Sequence, residues 1–126
     1  MIERRLFPRY SVELRAEVWQ PEGKVYQAIG TELGRGGVAL DLDCAVVEGM
    51  ACVGGKLNQG DRFRLRLHLG DVASGGMLSA ECRAAYVRRL SQDRYAIGAR
   101  FHNIEGGEAR LEAFLSWCAE GSGTRN

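Results

Sequence analysis

The sequence predicts an all-β fold closed by one helix: a six-stranded antiparallel β-barrel plus a C-terminal α-helix. Three observations carry that prediction. Apolar and polar residues alternate in several short segments, glycine-rich or polar turns separate those segments, and the period changes to that of a helix only near the C-terminus. At 126 residues the chain is long enough to bury a hydrophobic core without disulfides or metal to hold it.

Each element follows from its own pattern. Between Tyr10 and Trp19, Val12, Leu14, Ala16 and Val18 alternate with Ser11, Glu13, Arg15 and Glu17, the period of a strand with one buried and one wet face. Pro21-Glu22-Gly23 supplies turn chemistry, and Lys24 to Glu32 is expected to return as the second strand of a hairpin. After the glycines at 34, 36 and 37, alternation resumes with Val38, Leu40 and Leu42 on one side and Ala39, Asp41 and Asp43 on the other. The fourth strand is the clearest: from 62 to 69, Phe63, Leu65, Leu67 and Leu69 alternate with Arg62, Arg64, Arg66 and His68. Charges on the wet face of a half-buried strand discourage edge pairing, so these arginines are given no ligand role. Met77 to Leu90 and Tyr95 to Phe101 form the last pair, joined by Ser91-Gln92-Asp93-Arg94.

Leu111, Phe114, Leu115 and Cys118 then fall at i, i+3, i+4 and i+7, the stripe of an amphipathic helix starting near Glu108. Closing six strands into a barrel removes the exposed edges of a meander, and the helix is expected to cover a barrel opening or an outer apolar patch. The expected organisation is an arginine-bearing arm over 1–9, the barrel and helix over 10–119, and a disordered tail over 120–126. Residues 45–60, "AVVEGMACVGGKLNQG", are long and apolar for a connection, and are read as an extended hairpin packing on the barrel or on a second subunit in a homo-oligomer.

Composition excludes several functions. Seventeen Lys and Arg against sixteen Asp and Glu leave a net charge of +1, so no global field draws the chain to DNA, RNA or an anionic membrane. No basic, aromatic-lined face for single strands is indicated, and no Ser/His/Asp or Cys/His set indicates an enzyme. Cys44, Cys52, Cys82 and Cys118 are widely spaced and the two histidines lack ligand spacing, so no metal or cofactor is assigned. Two disulfides are possible by count; four reduced, mostly buried thiols are expected. No apolar run reaches membrane-span length and the basic N-terminus lacks a secretory apolar segment, which makes a cytoplasmic location the expectation.

Two clusters are not required by a barrel. Arg4, Arg5 and Arg9 crowd the stretch "RRLFPR", and Glu32-Leu33-Gly34-Arg35-Gly36-Gly37 makes a glycine-rich turn between the second and third strands. An arginine fork makes two parallel hydrogen bonds to phosphate or to guanine O6 and N7, and its flat face stacks on a base. Glycines let backbone N–H groups approach an anion closely. A guanine nucleotide satisfies both.

In order along the chain, "RLFPRY", "ELGRGGVAL", "GDRFRLRLHL" and "YAIGARF" closely resemble the PilZ domain family over about residues 4–115. The resemblance implies a six-stranded barrel and, as in many members, binding of the bacterial second messenger cyclic di-GMP. The family's R-x-x-x-R signature is intact as Arg5 and Arg9, with Arg4 as an extra arginine. Those arginines are implied to clamp phosphates and guanines as the N-terminal arm folds over the barrel. In the second signature, [D/N]-x-S-x-x-G, Glu32 replaces Asp or Asn, Gly34 replaces Ser, and Gly37 matches. Glu32 can accept from guanine N–H donors or salt-bridge Arg35 or Arg9. Implied ligand-binding residues are therefore Arg4, Arg5, Arg9, Glu32, Gly34 and Gly37, with cyclic di-GMP and an unidentified protein as partners. The alternative is a PilZ-like protein-interaction adaptor, as in type IV pilus assembly, that does not bind the nucleotide.

Overall fold

A computed structural model of the chain describes residues 8–19, 25–43, 57–70 and 76–121. Within them the alternating segments form six strands: β1 (Arg9–Trp19), β2 (Val25–Gly34), β3 (Gly37–Asp43), β4 (Arg62–His68), β5 (Met77–Arg89) and β6 (Arg94–Gly106). Helix α1 (Glu108–Ala119) follows. The strands run in the order β1-β2-β3-β6-β5-β4, every neighbouring pair antiparallel, and β1 pairs again with β4 to close the barrel. In that closing pair Ala16 faces Leu67 and Val18 faces Leu65, all buried, so closure satisfies two strand edges and fills the interior at once.

β3 and β4 follow their alternation strictly: Val38, Leu40, Leu42, Phe63, Leu65 and Leu67 are at most 4% exposed. The charged residues of β4 stand on the outer face, and three of them engage side chains of β1 or β6. Arg64 Nη2 donates to Glu105 Oε2 at 2.9 Å, Arg66 lies over the Trp19 ring, and His68 Nε2 is 3.6 Å from the Glu17 carboxylate.

β6 runs five residues past its expected end at Phe101. The polar stretch His102-Asn103 gives no apolar alternation, yet Asn103 pairs with Glu81 and Ile104 with Ala80, and register shifts in β5–β6 absorb the mismatch. Of the 45–60 segment, residues 45–56 lie outside the described residues. Leu57 is buried, and Gly60 N–H donates to Ala84 O at 2.7 Å, which ties the end of that connection to β5. Residues 122–126 of the expected tail also lie outside the described residues.

Gly107 starts α1 at φ +93°, a left-handed conformation, and a Cβ there would strike the Met77 carbonyl oxygen, so glycine is needed twice over. The helix buries Leu111, Phe114, Leu115 and Cys118, the four residues of the expected stripe, in the cluster that holds the barrel interior.

Cys82 and Cys118 are free thiols and both are buried; Cys44 and Cys52 lie outside the described residues. Burial, with the Glu81 and Glu105 carboxylates adding to it, pushes the Cys82 thiol up to about 12; burial also raises Cys118. The folded state thus holds the Cys82 proton more tightly than the unfolded chain does. Its stabilising contribution is complete below the ordinary thiol range near 9 and is lost as pH rises from there toward 12. Iodoacetamide at pH 8.5 is expected to leave Cys82 unmodified in the folded protein and to alkylate it in denaturant. Mass spectrometry of the two samples checks this, and rapid labelling of the folded chain would contradict it.

Candidate functional site

Two segments distant in sequence become neighbours through strand register. β1 and β2 pair Arg9 with Gly34, Tyr10 with Leu33 and Ser11 with Glu32, which sets the last arginine of the arm against the glycine turn. Tyr10 and Leu33 point inward and are buried, anchoring both segments, while Arg9, Ser11 and Glu32 beside them are half-buried.

An irregularity in β2 decides where Glu32 points. Gly30 pairs with Leu40 and Glu32 with Ala39, so β2 carries one extra residue, Thr31, relative to β3. Ala28 and Gly30 occupy buried positions, and uninterrupted alternation would send Glu32 the same way. The extra residue reverses the phase, burying Leu33 and bringing Glu32 to the outer side. There its Oε1 accepts from Arg9 Nη1 at 3.2 Å, with the two side chains 37% (Arg9) and 22% (Glu32) exposed. The salt bridge from Glu32 to Arg9, one of the two open to Glu32 on sequence grounds, is formed.

The turn is held by its backbone. Phe101 N–H donates to Gly36 O at 2.9 Å, and Gly37 pairs with Arg100 across β3 and β6. A Cβ at Gly37 would land on the Ala99 carbonyl oxygen, so the family-matched glycine is required by close approach of β6. At Gly34 a Cβ would come within 3.0 Å of Pro8 O and 3.2 Å of Arg9 Cγ, whereas nothing lies near one at Gly36.

Arg9, Glu32, Gly34 and Gly37 are therefore assembled at one place on the barrel, and Arg4 and Arg5 lie outside the described residues. One contact at this site was not foreseen: Arg35 Nη2 donates to Glu112 Oε1 on α1 at 2.8 Å, across 77 residues of sequence. Both residues line a cleft of about 230 Å³ with Pro8, Tyr10, Leu115, Ser116 and Ala119. The arrangement offers two guanidinium groups and a glycine turn to an anion, with a carboxylate against each guanidinium. Among the described residues no three His, Cys, Asp or Glu side chains come together as metal ligands, and no helix is long and apolar enough to cross a membrane.

A closed six-stranded barrel whose arginine-bearing first strand abuts a glycine turn, with a helix after the last strand, is the architecture of a PilZ domain. The sequence profile of the PilZ domain family matches residues 3–117, and the chain belongs to that family. No curated protein matches it. Solved structures of similar fold include the Bacillus subtilis inhibitor of motility MotI/DgrA, with a TM-score of 0.70 and 19% identity over 96% of this chain and 52% of that one. The PilZ domain of Escherichia coli YcgR with c-di-GMP gives a TM-score of 0.66 at 16% identity, over 94% of this chain and 95% of that one. The K. pneumonia MrkH–c-di-GMP complex gives 0.66 at 16% identity, over 97% and 54%. The chain thus spans about half the length of MotI/DgrA and MrkH, and nearly all of the isolated YcgR domain.

Proposed function

We propose that this chain is a cyclic di-GMP receptor domain and not an enzyme, acting in the cytoplasm by passing the ligand-bound state to a partner protein. The observation that carries the reading is the register pairing Arg9 with Gly34, which sets the second arginine of the R-x-x-x-R signature against the glycine turn. Arg5 and Arg4 complete the clamp from the arm, Glu32 and the turn receive a guanine edge, and Gly37 keeps the turn close to β6. The presence of c-di-GMP in the YcgR domain and MrkH structures supports the choice of ligand.

The Arg9–Glu32 pair favours a second reading, an adaptor that does not bind the nucleotide, because an internal carboxylate already satisfies the arginine. Magnitudes favour the receptor reading. The Arg9–Glu32 pair is part-buried and stands nearer the about 0.2–1 kcal/mol of an exposed ion pair than the larger values of a fully buried one. A hydrogen bond from a charged donor to a ligand contributes about 1.5–3 kcal/mol, and an arginine fork makes two. The ligand outcompetes Glu32, at some cost in affinity.

Isothermal calorimetry with cyclic di-GMP, with GTP and cyclic di-AMP as controls, tests the reading. Saturable heat for cyclic di-GMP alone is the expected result, and its absence at high ligand concentration leaves the adaptor in its place. Gly34→Ser, which restores the family hydroxyl, is expected to tighten binding by about two- to tenfold, the worth of one neutral hydrogen bond. Gly34 is not among the positive-φ glycines, and the crowding falls on the Pro8 carbonyl oxygen and on Arg9 Cγ, each of which must give by a few tenths of an ångström. Weaker binding by the serine variant would show that Gly34 serves the close approach of the arm and not the ligand.

A further inference from the structure

Arg35 stands in the middle of the glycine turn, one residue beyond the Gly34 that pairs with Arg9. Its backbone neighbours are fixed by the Phe101 N–H to Gly36 O hydrogen bond and by the tight fit of Gly37 on Ala99. Its side chain leaves the turn and reaches α1, where the contact with Glu112 Oε1 at 2.8 Å joins groups that are 53% (Arg35) and 45% (Glu112) exposed. A long side chain on a fixed turn can change partner without moving the backbone. The exposed ion pair with Glu112 adds little to holding it, and a phosphodiester that accepts two parallel hydrogen bonds in a partly desolvated site holds it more strongly.

We propose that Arg35 is a further ligand-binding arginine of the cyclic di-GMP site and the contact that couples this site to α1. In the free protein Glu112 holds it; the bound ligand takes it from Glu112. The proposal rests on the receptor reading above. Because Arg35 and Glu112 both line the cleft between the start of β1 and the helix residues Leu115, Ser116 and Ala119, exchange of partners alters that wall on α1. Linkage makes the coupling reciprocal: the pair lowers ligand affinity by the same factor by which ligand weakens the pair.

Calorimetric titration of the full chain with cyclic di-GMP at one ionic strength, in wild type, Glu112→Gln, Arg35→Ala and the double variant, tests this. Glu112→Gln is expected to tighten binding by about two- to fivefold, the size of an exposed ion pair. Arg35→Ala is expected to weaken it by about three- to tenfold, and adding Glu112→Gln to Arg35→Ala is expected to change nothing. Unchanged or weaker binding by Glu112→Gln overturns the competition. A tightening that persists in the Arg35→Ala background also overturns it, since the effect is then only the removal of a nearby negative charge. If wild type does not bind, the receptor reading falls and the coupling with it; if wild type binds and Glu112→Gln has no effect, the coupling alone falls.

Discussion

Arg9→Ala is expected to weaken cyclic di-GMP binding by at least about tenfold, or about 1.4 kcal/mol, while leaving the melting temperature of the free protein nearly unchanged. The two effects separate because the guanidinium and the backbone of Arg9 do different work. The backbone pairs with Gly34 at the start of β1, and alanine keeps that pairing. The side chain is partly exposed, and its part-buried pair with Glu32 contributes on the order of 1 kcal/mol. Against a phosphodiester or a guanine edge the same side chain supplies charged hydrogen bonds of about 1.5–3 kcal/mol each. Arg9→Lys retains the charge without the planar fork and is expected to fall between wild type and alanine. Calorimetry and thermal unfolding on the three proteins check the result. If Arg9→Ala bound the ligand as wild type does, the site would have to lie elsewhere on the barrel; if it melted far lower, Arg9 would be a structural residue.

What was legible in the sequence is what alternation alone controls. In β3 and β4 each side chain's face follows from parity, and the structure buries Val38, Leu40, Leu42, Phe63, Leu65 and Leu67 accordingly. The helical stripe of α1 was equally plain, because 3.6-residue spacing has no competing explanation over Leu111 to Cys118. β2 was harder. Its parity reverses at Thr31, and nothing in "GTELG" announces an extra residue; the irregularity exists because Leu33 and Gly30 both face inward. The end of β6 was hidden for a related reason, since its polar residues face solvent and only pairing with β5 makes them a strand.

The site divides along the same line. Arg9, Glu32, Gly34 and Gly37 were found through two short motifs, and the Arg9–Glu32 pair was one of two salt bridges those motifs allowed. The Arg35–Glu112 contact was not legible. It joins a turn to a helix 77 residues later, and no local period or motif encodes which outer-face carboxylate of α1 will stand beside the turn once the barrel has closed.

Phe114→Ala is expected to cost about 3–5 kcal/mol of stability, the largest effect of any substitution considered for this protein. Phe114 is 4% exposed and packs on Trp117 with ring centroids 5.6 Å apart at a tilt of 51°. Around it Leu111, Leu115 and Cys118 are buried in the cluster shared with the strands, so the ring sits where α1 meets the barrel interior and its removal leaves a void that neighbours on two sides must close. A loss of that size corresponds to a fall in melting temperature of roughly 10–20 °C for a chain of this length. Trp117→Ala removes a residue that is only partly buried at the edge of the same cluster, and is expected to cost less. Urea unfolding followed by circular dichroism measures both, with the midpoint of Phe114→Ala moving well below that of Trp117→Ala and a common slope showing that the whole barrel still unfolds as one unit. A midpoint unmoved by Phe114→Ala would make α1 a detachable element. In that case the Arg35–Glu112 pair could not report the state of the ligand site to the rest of the domain, because the helix it reaches would carry no load from the barrel.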